Sequence, residues 1–339
     1  MISATISIII PVYNVENYVS ETLDSVKNQT SLPDEVIVIN DGSTDNSFNI
    51  IKNYSDLKCF KVFETKNQGL GLTRNYGISL AKSDYIYFLD SDDIIENNFI
   101  YEMRKLINQY KNPDIILFSG KTFTHKKEID NKINLKFNKP DMILFSGKTF
   151  SHNKVMNNKI NLKFTIEGQF FKGDKLLTKM VQKKETLPQS SRYLTKKELW
   201  TTNNLTYPNG IAEDESLFFP LIALSNNTVV NKKAYYRYRV NRPGSITADS
   251  VKPIHVEDYL NRMLSTLSFI KLNHDLIKYD YSAWCYNLER KSLKYINLCL
   301  KKKIQISWKT IIIIFFKTKN LSFLLKIFWR ILRKKFKFK

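Results

Sequence analysis

A parallel, doubly wound α/β sheet is the fold class the sequence predicts, and three observations predict it. Short apolar, β-branched runs alternate with segments of helical spacing in the order β-α-β-α-β-α-β over roughly the first ninety residues. Each run ends in a polar loop, at Tyr13, Asp41, Asn67 and Asp90. The fourth run, residues 85–89 (YIYFL), is unbroken and apolar, as in a central strand covered on both faces.

The elements follow in order. Residues 5–10 are a β-branched strand that Pro11 is expected to stop. Apolar residues at 15, 19, 23 and 26 predict a helix over 15–29. Pro33 precedes a strand over 35–39, which runs into the turn NDGSTD. Asp45 is placed to cap a helix over 46–54. A third strand is expected over 60–64, then a glycine-bearing turn (NQGLG) into a helix over 72–81, and after the fourth strand a helix over 98–110. Right-handed crossovers put the loops after all four strands along one sheet edge, where open α/β sheets bind ligands. Tyr13, Asp41, Arg74 and Asp90 are therefore expected to line one crevice.

The chain divides at 1–110, 111–247 and 248–339. The middle part contains a tandem duplication: residues 113–137 and 140–164 differ at 6 of 25 aligned positions. Each copy reads as a hairpin. Two copies do not make a solenoid. His125 and His152 occupy equivalent places among lysines and read as solvated loop residues.

Charge is concentrated at one end. The 339-residue chain has a net charge of +21, from 53 basic and 32 acidic side chains. Residues 290–339 hold 16 of the basic side chains and none of the acidic ones, which leaves 37 against 32 elsewhere. A body so mildly basic argues against a nucleic-acid partner and moves the question of partners to the C-terminus. Cys59, Cys285 and Cys299 form no metal spacing or disulfide framework, which points to a reducing compartment. The N-terminus lacks the basic region and cleavage site of a secretory signal.

Two acidic clusters carry the chemistry. Asp90, Asp92 and Asp93 follow the fourth strand directly. Carboxylates this close repel unless a cation or protons intervene, and Mg²⁺ or Mn²⁺ typically uses one or two carboxylates beside phosphate oxygens. Glu213, Asp214 and Glu215 begin an apolar helix, where the helix dipole favours acids in any case.

The segments SIIIPVYNVENYVSETLDSVKNQT, DEVIVINDGSTDNS, NQGLGLTRNYGI and YIYFLDSDD, in that order over about residues 5–100, resemble the successive motifs of the family 2 glycosyltransferases. The resemblance implies a GT-A fold, a Rossmann-like, mostly parallel sheet flanked by helices. It also implies a nucleotide-sugar donor bound by Pro11, Tyr13, Asp41, Arg74, Asp90 and Ser91. Asp41 would accept from the base, Tyr13 would pack on base or ribose, and Arg74 would lie near base and diphosphate. Asp90 and Asp92 match the DxD pair that holds a divalent metal, with Asp93 a supporting or capping residue. The stretch around Asp214 resembles the family's ED motif, which makes Asp214 the catalytic base, with Glu213 orienting the acceptor. Arg239 and Arg242, at the end of a strand over 229–240 and in the segment after it, are candidates for diphosphate contact.

The last part of the chain reads as a helical extension ending in a basic amphipathic tail at about 304–339. Residues 311–316 are too few to span a bilayer. Lys326, Arg330 and Lys334 recur every four residues with Phe328, Trp329, Ile331 and Leu332 between them, which suits a helix lying in an anionic membrane interface. Packing of the apolar face on the protein body is the competing reading.

Together these features predict an inverting, metal-dependent transferase moving a hexosyl or N-acetylhexosaminyl group, most simply from a UDP-sugar, to a hydroxyl of a surface glycan. The acceptor would be lipid-linked, and the enzyme peripheral at the cytoplasmic face of the cell membrane. A non-catalytic nucleotide-sugar-binding scaffold is the rival. It need not keep Asp92 and Asp214, and both are present. A nucleotidyltransferase would need a glycine-rich phosphate loop that PVYNVEN lacks. A dehydrogenase would need a GxGxxG fingerprint after the first strand, also missing.

Overall fold

The computed structural model describes residues 4–124, 127–129, 163–183, 189–210, 213–240, 308–318 and 320–336, with isolated helical positions between 261 and 300. Among these residues ten strands make one sheet. Its first half is parallel, in the order β3 (Phe60–Thr65), β2 (Glu35–Asp41), β1 (Ile6–Val12), β4 (Tyr85–Phe88). Helices α1 (Val19–Lys27), α2 (Ser47–Lys52) and α3 (Leu70–Leu80) make the crossovers. The second half is mixed. β9 (Tyr193–Lys196) runs antiparallel to both β4 and β6 (Ile115–Thr124). β10 (Asn227–Arg239) pairs with β6 in parallel and with the short β5 (Ile94–Ile95) in antiparallel fashion. β7 (Lys127–Ile129) and β8 (Gly168–Phe171) hang off β6 and β10. The parts expected at 1–110 and 111–247 thus share one sheet.

Period-two alternation sorts the core into two layers. Ile9, Ile37, Ile39, Ile86 and Phe88 share a cluster with Ile78 of α3 and with the buried residues of α5 (Gly173–Lys183), α6 (Lys197–Thr202) and α7 (Glu213–Leu224). Ile8, Ile10, Val36, Val38, Tyr85 and Tyr87 face α1 and α4 (Phe99–Gln109). Every residue of β1, β2 and β4 is buried, as continuous apolar runs require.

Several boundaries differ from the sequence reading, and two of them have a visible reason. Pro11 does not stop β1, which continues to Val12. β4 leaves β1 after Ile9, while β2 stays paired through Val12. The missing N–H of Pro11 therefore falls where β1 has a single neighbour, the edge condition under which a strand tolerates proline. The first helix starts at Val19, because Tyr18 N–H closes a turn on the Val15 carbonyl at 2.9 Å. In the duplicated region β6 and β7 form a hairpin from the first copy. The second copy, except Lys163 and Phe164, lies outside the described residues, as do His125 and His152.

The last helices among the described residues are α8 (Trp308–Thr318) and α9 (Leu321–Phe336). Phe323 and Ile327, four apart on α9, are buried in the apolar cluster that holds Leu176, Phe218 and Ile222. Leu321, Leu325, Phe328 and Trp329 of α9 point outward, with Trp308, Ile312, Ile313 and Phe316 of α8. The helix thus has two apolar faces, of which the body covers one. No helix among the described residues is long and apolar enough to cross a membrane.

Candidate active site

Four of the expected side chains meet at one guanidinium. Arg74, on α3 and 1% exposed, donates from Nη2 to Asp90 Oδ1 at 2.8 Å. Its Nη1 serves Glu213 Oε1 at 2.5 Å and Asp214 Oδ1 at 2.9 Å. The two acidic clusters, more than 120 residues apart in sequence, are therefore joined at a single buried cation. Tyr207 and Phe88 lie beside it, their ring centroids 5.3 and 5.9 Å from the guanidinium carbon. Burial alone would make Arg74 less basic, but Asp214, Asp90 and Glu213 more than offset that and hold it charged.

The chain reaches this geometry through a close approach of backbones. A Cβ at Gly71 would lie 2.4 Å from the Pro208 carbonyl oxygen, so only glycine lets the 205–210 loop rest on α3. Asn75, one turn on, holds the loop by donating to the Tyr207 carbonyl and accepting from its amide. The first turn of α7 follows and delivers Glu213 and Asp214 to Arg74.

Asp214 is held in an uneven setting. Both its recorded hydrogen bonds, from Arg74 and from Ser190 Oγ, arrive at Oδ1. Burial, reinforced by the charges of Glu213 and Asp90, pushes its carboxyl up to about 7, against the opposing pull of Arg74 and Ser190. The side chain keeps 23% exposure, so it faces solvent as well as the cluster. A carboxylate poised near neutrality is matched to proton transfer at physiological pH.

The turn after β4 is fastened from both sides. The Ser91 carbonyl accepts from Thr22 Oγ1 of α1 at 2.9 Å. Asp93 is fully buried: its Oδ1 accepts the Arg239 amide at 2.6 Å and its Oδ2 accepts the Tyr236 hydroxyl. Burial, with Asp92 and Asp90 alongside, raises the Asp93 carboxyl well above the usual carboxylate range. Asp93 is thereby turned into the protein, while Asp90, on the same turn, meets Arg74 and Ser191. Among the described residues no three acidic, histidine or cysteine side chains form a ready metal cage. A metal held jointly with a diphosphate needs only one or two carboxylates, which this donor set matches.

Other expected residues stand elsewhere. Arg239 is not aimed at open solvent. It is 3% exposed, its Nε donates to the Asp92 carbonyl and its Nη2 to Glu21 Oε2, both at 2.6 Å, and it stacks on Tyr18 and Phe123. Its guanidinium thereby fastens the acidic turn to α1. Asp41 accepts from Thr65 Oγ1 and the Gln68 amide at Oδ1 and from the Gly69 amide at Oδ2. Tyr13, 48% exposed, leads into a loop that Asn14 ties to the NDGS turn by accepting the Thr44 amide at 2.8 Å. Arg242 lies outside the described residues.

Sequence reasoning missed Ser190, Ser191 and Tyr207. Ser190 Oγ meets Asp214, Tyr207 Oη at 2.7 Å and Tyr193 Oη at 3.2 Å, and Ser191 Oγ donates to Asp90 Oδ2 at 3.2 Å. Both serines lie in a 3₁₀ turn (Ser190–Arg192) that leads into β9. The only signal was the short run Tyr193-Leu194-Thr195, which is half the length that periodicity needs.

Comparison with known proteins agrees with this architecture. The family model described as Glycosyl transferase family 2 matches residues 7–171. Glycosyltransferase GlyA of Streptococcus pneumoniae is 40% identical over 112 residues, which are 33% of this chain and 16% of that protein. Putative glycosyltransferase EpsH of Bacillus subtilis is 42% identical over 104 residues, 30% of each chain. The chain thus spans well under half of these relatives. Among solved structures, S. aureus TarS 1-349 in complex with UDP-GlcNAc has a TM-score of 0.60 at 19% identity, covering 95% of this chain and 81% of that one. That likeness concerns the fold, which is the GT-A arrangement of a mixed α/β sheet flanked by helices. Over residues 7–171, the chain is similar to the family 2 glycosyltransferases.

Proposed function

We propose that the chain transfers a hexosyl or N-acetylhexosaminyl group, with inversion, from a UDP-sugar to a hydroxyl of a surface glycan. The observation that carries this reading is the junction of Asp90 and Asp214 on Arg74, which puts a leaving-group side and a nucleophile side within one guanidinium's span. In an in-line displacement the acceptor oxygen bonds to the anomeric carbon as the bond to the diphosphate breaks. Asp214 takes the acceptor's proton. Asp90 and Asp92 would hold a divalent ion, which when bound supplies charge neutralisation for the departing diphosphate. Glu213 fixes Arg74 from the acceptor side.

The nucleotide end follows the same logic. Asp41 uses three of its roughly four acceptor sites within the protein, and the fourth suits a ring N–H such as uracil presents. The exposed ring of Tyr13 is placed to stack on the base. The UDP-GlcNAc complex of the similarly folded TarS supports a nucleotide-sugar donor here.

The acceptor is lipid-linked in this reading, and the chain sits at the cytoplasmic face of the cell membrane. The outward residues of α8 and α9 form an exposed apolar face within an extension that has no acidic side chain after Glu289. Such a surface suits an anionic bilayer at ~1 kcal/mol per basic residue, plus the buried aromatic area.

The test is UDP release by purified protein with Mn²⁺ and a panel of nucleotide sugars. Asp92→Asn is expected to abolish turnover and weaken Mn²⁺-dependent UDP binding. Asp214→Asn is expected to abolish turnover and leave UDP binding nearly intact. Full activity in Asp214→Asn would remove the base from the mechanism.

A further inference from the structure

The hydrogen bonds at Ser190 distinguish the two oxygens of Asp214. A serine hydroxyl has one proton to donate and two lone pairs to receive with. Ser190 Oγ, fully buried, has three polar neighbours: Asp214 Oδ1, Tyr207 Oη and Tyr193 Oη. Burial pushes both tyrosine hydroxyls far above their ordinary range, so both remain protonated donors. Tyr207 donates to Ser190, Tyr193 donates to Ser190 or to Tyr207 beside it, and in either case the Ser190 proton goes to Asp214. The Arg74 guanidinium, which can only donate, fills the other lone pair of the same oxygen at 2.9 Å. Among the described residues nothing donates to Asp214 Oδ2.

Building on the assignment of Asp214 as base, we propose that Ser190, backed by Tyr193 and Tyr207, is a positioning residue that saturates Asp214 Oδ1, so that the acceptor's proton is taken by Oδ2. The saturated oxygen has no lone pair left, and Oδ2, to which no described residue donates, is the one open to a hydroxyl. The hydroxyl chain fixes the rotation of the carboxylate and so fixes where the acceptor oxygen must stand. Ser191 does the corresponding work one residue on, with its hydroxyl on Asp90 Oδ2. One 3₁₀ turn thereby aligns both carboxylates that Arg74 joins.

The experiment compares kcat, donor KM and UDP affinity for the wild type, Ser190→Ala, Tyr207→Phe and Asp214→Asn, using the nucleotide sugar that the wild type turns over. A hydrogen bond to a charged group corresponds to roughly 10- to 100-fold in rate. Ser190→Ala is expected to lose that factor in kcat while donor KM and UDP affinity stay within about twofold. Tyr207→Phe keeps the buried ring and loses only the donor to Ser190, so a smaller fall of roughly 3- to 10-fold is expected. It also decides the matter if Ser190→Ala does not fold. Wild-type kcat in Ser190→Ala and Tyr207→Phe overturns the proposal, and so does a parallel loss of kcat and UDP affinity, which marks a merely structural role. Turnover that survives in Asp214→Asn sinks the base assignment instead, whatever the serine variant shows.

Discussion

Asn75 and Tyr207 exchange two hydrogen bonds across 132 residues of sequence, the Asn75 amide to the Tyr207 carbonyl at 2.8 Å and the Tyr207 amide to Asn75 Oδ1 at 2.7 Å. This clasp sets how far α7 stands from α3, and so whether Arg74 reaches Glu213 and Asp214 at all. Gly71 lies one turn earlier on the same face of α3.

Gly71→Ala should therefore act at a distance from the chemistry. The new methyl would lie 2.4 Å from the Pro208 carbonyl oxygen, backbone that cannot swing aside as a side chain would. The loop must lift, at a cost of about 1–3 kcal/mol as for other overpacked sites. The expected result is a lower Tm by thermal unfolding together with a fall in UDP release. An unchanged Tm with full turnover would show that the loop is free to shift.

Turnover should depend on pH through Asp214. Burial raises its carboxyl to about 7, and a base works only when deprotonated. Above that value kcat should reach a plateau. Below it the rate should fall towards tenfold per pH unit as the proton fills the site. The check is a kcat profile at saturating donor from pH 5 to 9. A flat profile through neutrality would mean that another group takes the proton.

Asp92 and Asp93, adjacent in sequence, should respond differently to the same substitution. Asp93 is buried, raised out of the usual carboxylate range and bonded to Tyr236 and the Arg239 amide, so its charge is not what the fold uses. Asp93→Asn should keep Mn²⁺-dependent UDP binding within about threefold, since an amide can satisfy both partners. Asp92→Asn should lose it. Titration of UDP with and without Mn²⁺ separates the two, and equal losses would make Asp93 a ligand.

The terminal helix should give opposite answers on its two faces. Phe323 is fully buried, so Phe323→Ala should cost about 3–5 kcal/mol and lower Tm. Phe328 and Trp329 are 59% and 69% exposed, so Phe328→Glu with Trp329→Glu should leave Tm nearly unchanged. The same pair should cut sedimentation with vesicles rich in phosphatidylglycerol. If binding survives the pair, the exposed face is not the part that meets lipid.

Much of this was legible in the residues. The four parallel strands and the edge that carries Asp90 followed from apolar runs and their polar ends, because burial on both faces leaves a pattern that local sequence records. The acidic start of α7 was visible for the same reason. The residues are silent where long-range contacts decide. Nothing near Arg239 in sequence announces that its guanidinium meets Glu21 and the Asp92 carbonyl. Ser190 and Ser191 carry no mark of their own beyond the short run that follows them, since their partners lie 24 and 101 residues away. β9 was too short to show a period, yet it is the strand that brings those serines between the two acidic clusters. Asp41 matched its motif, but only the structure shows that three donors of the protein already share its carboxylate.

The two-sided character of α9 bears on how the chain can be handled. A chain shortened before residue 320 would lose Phe323 and Ile327 from the interior and bare the greasy patch they cover. Such a fragment would stick to vesicles, to plastic and to itself. Its pelleting would then report a wounded core, while the intact helix with altered outward aromatics reports affinity for lipid.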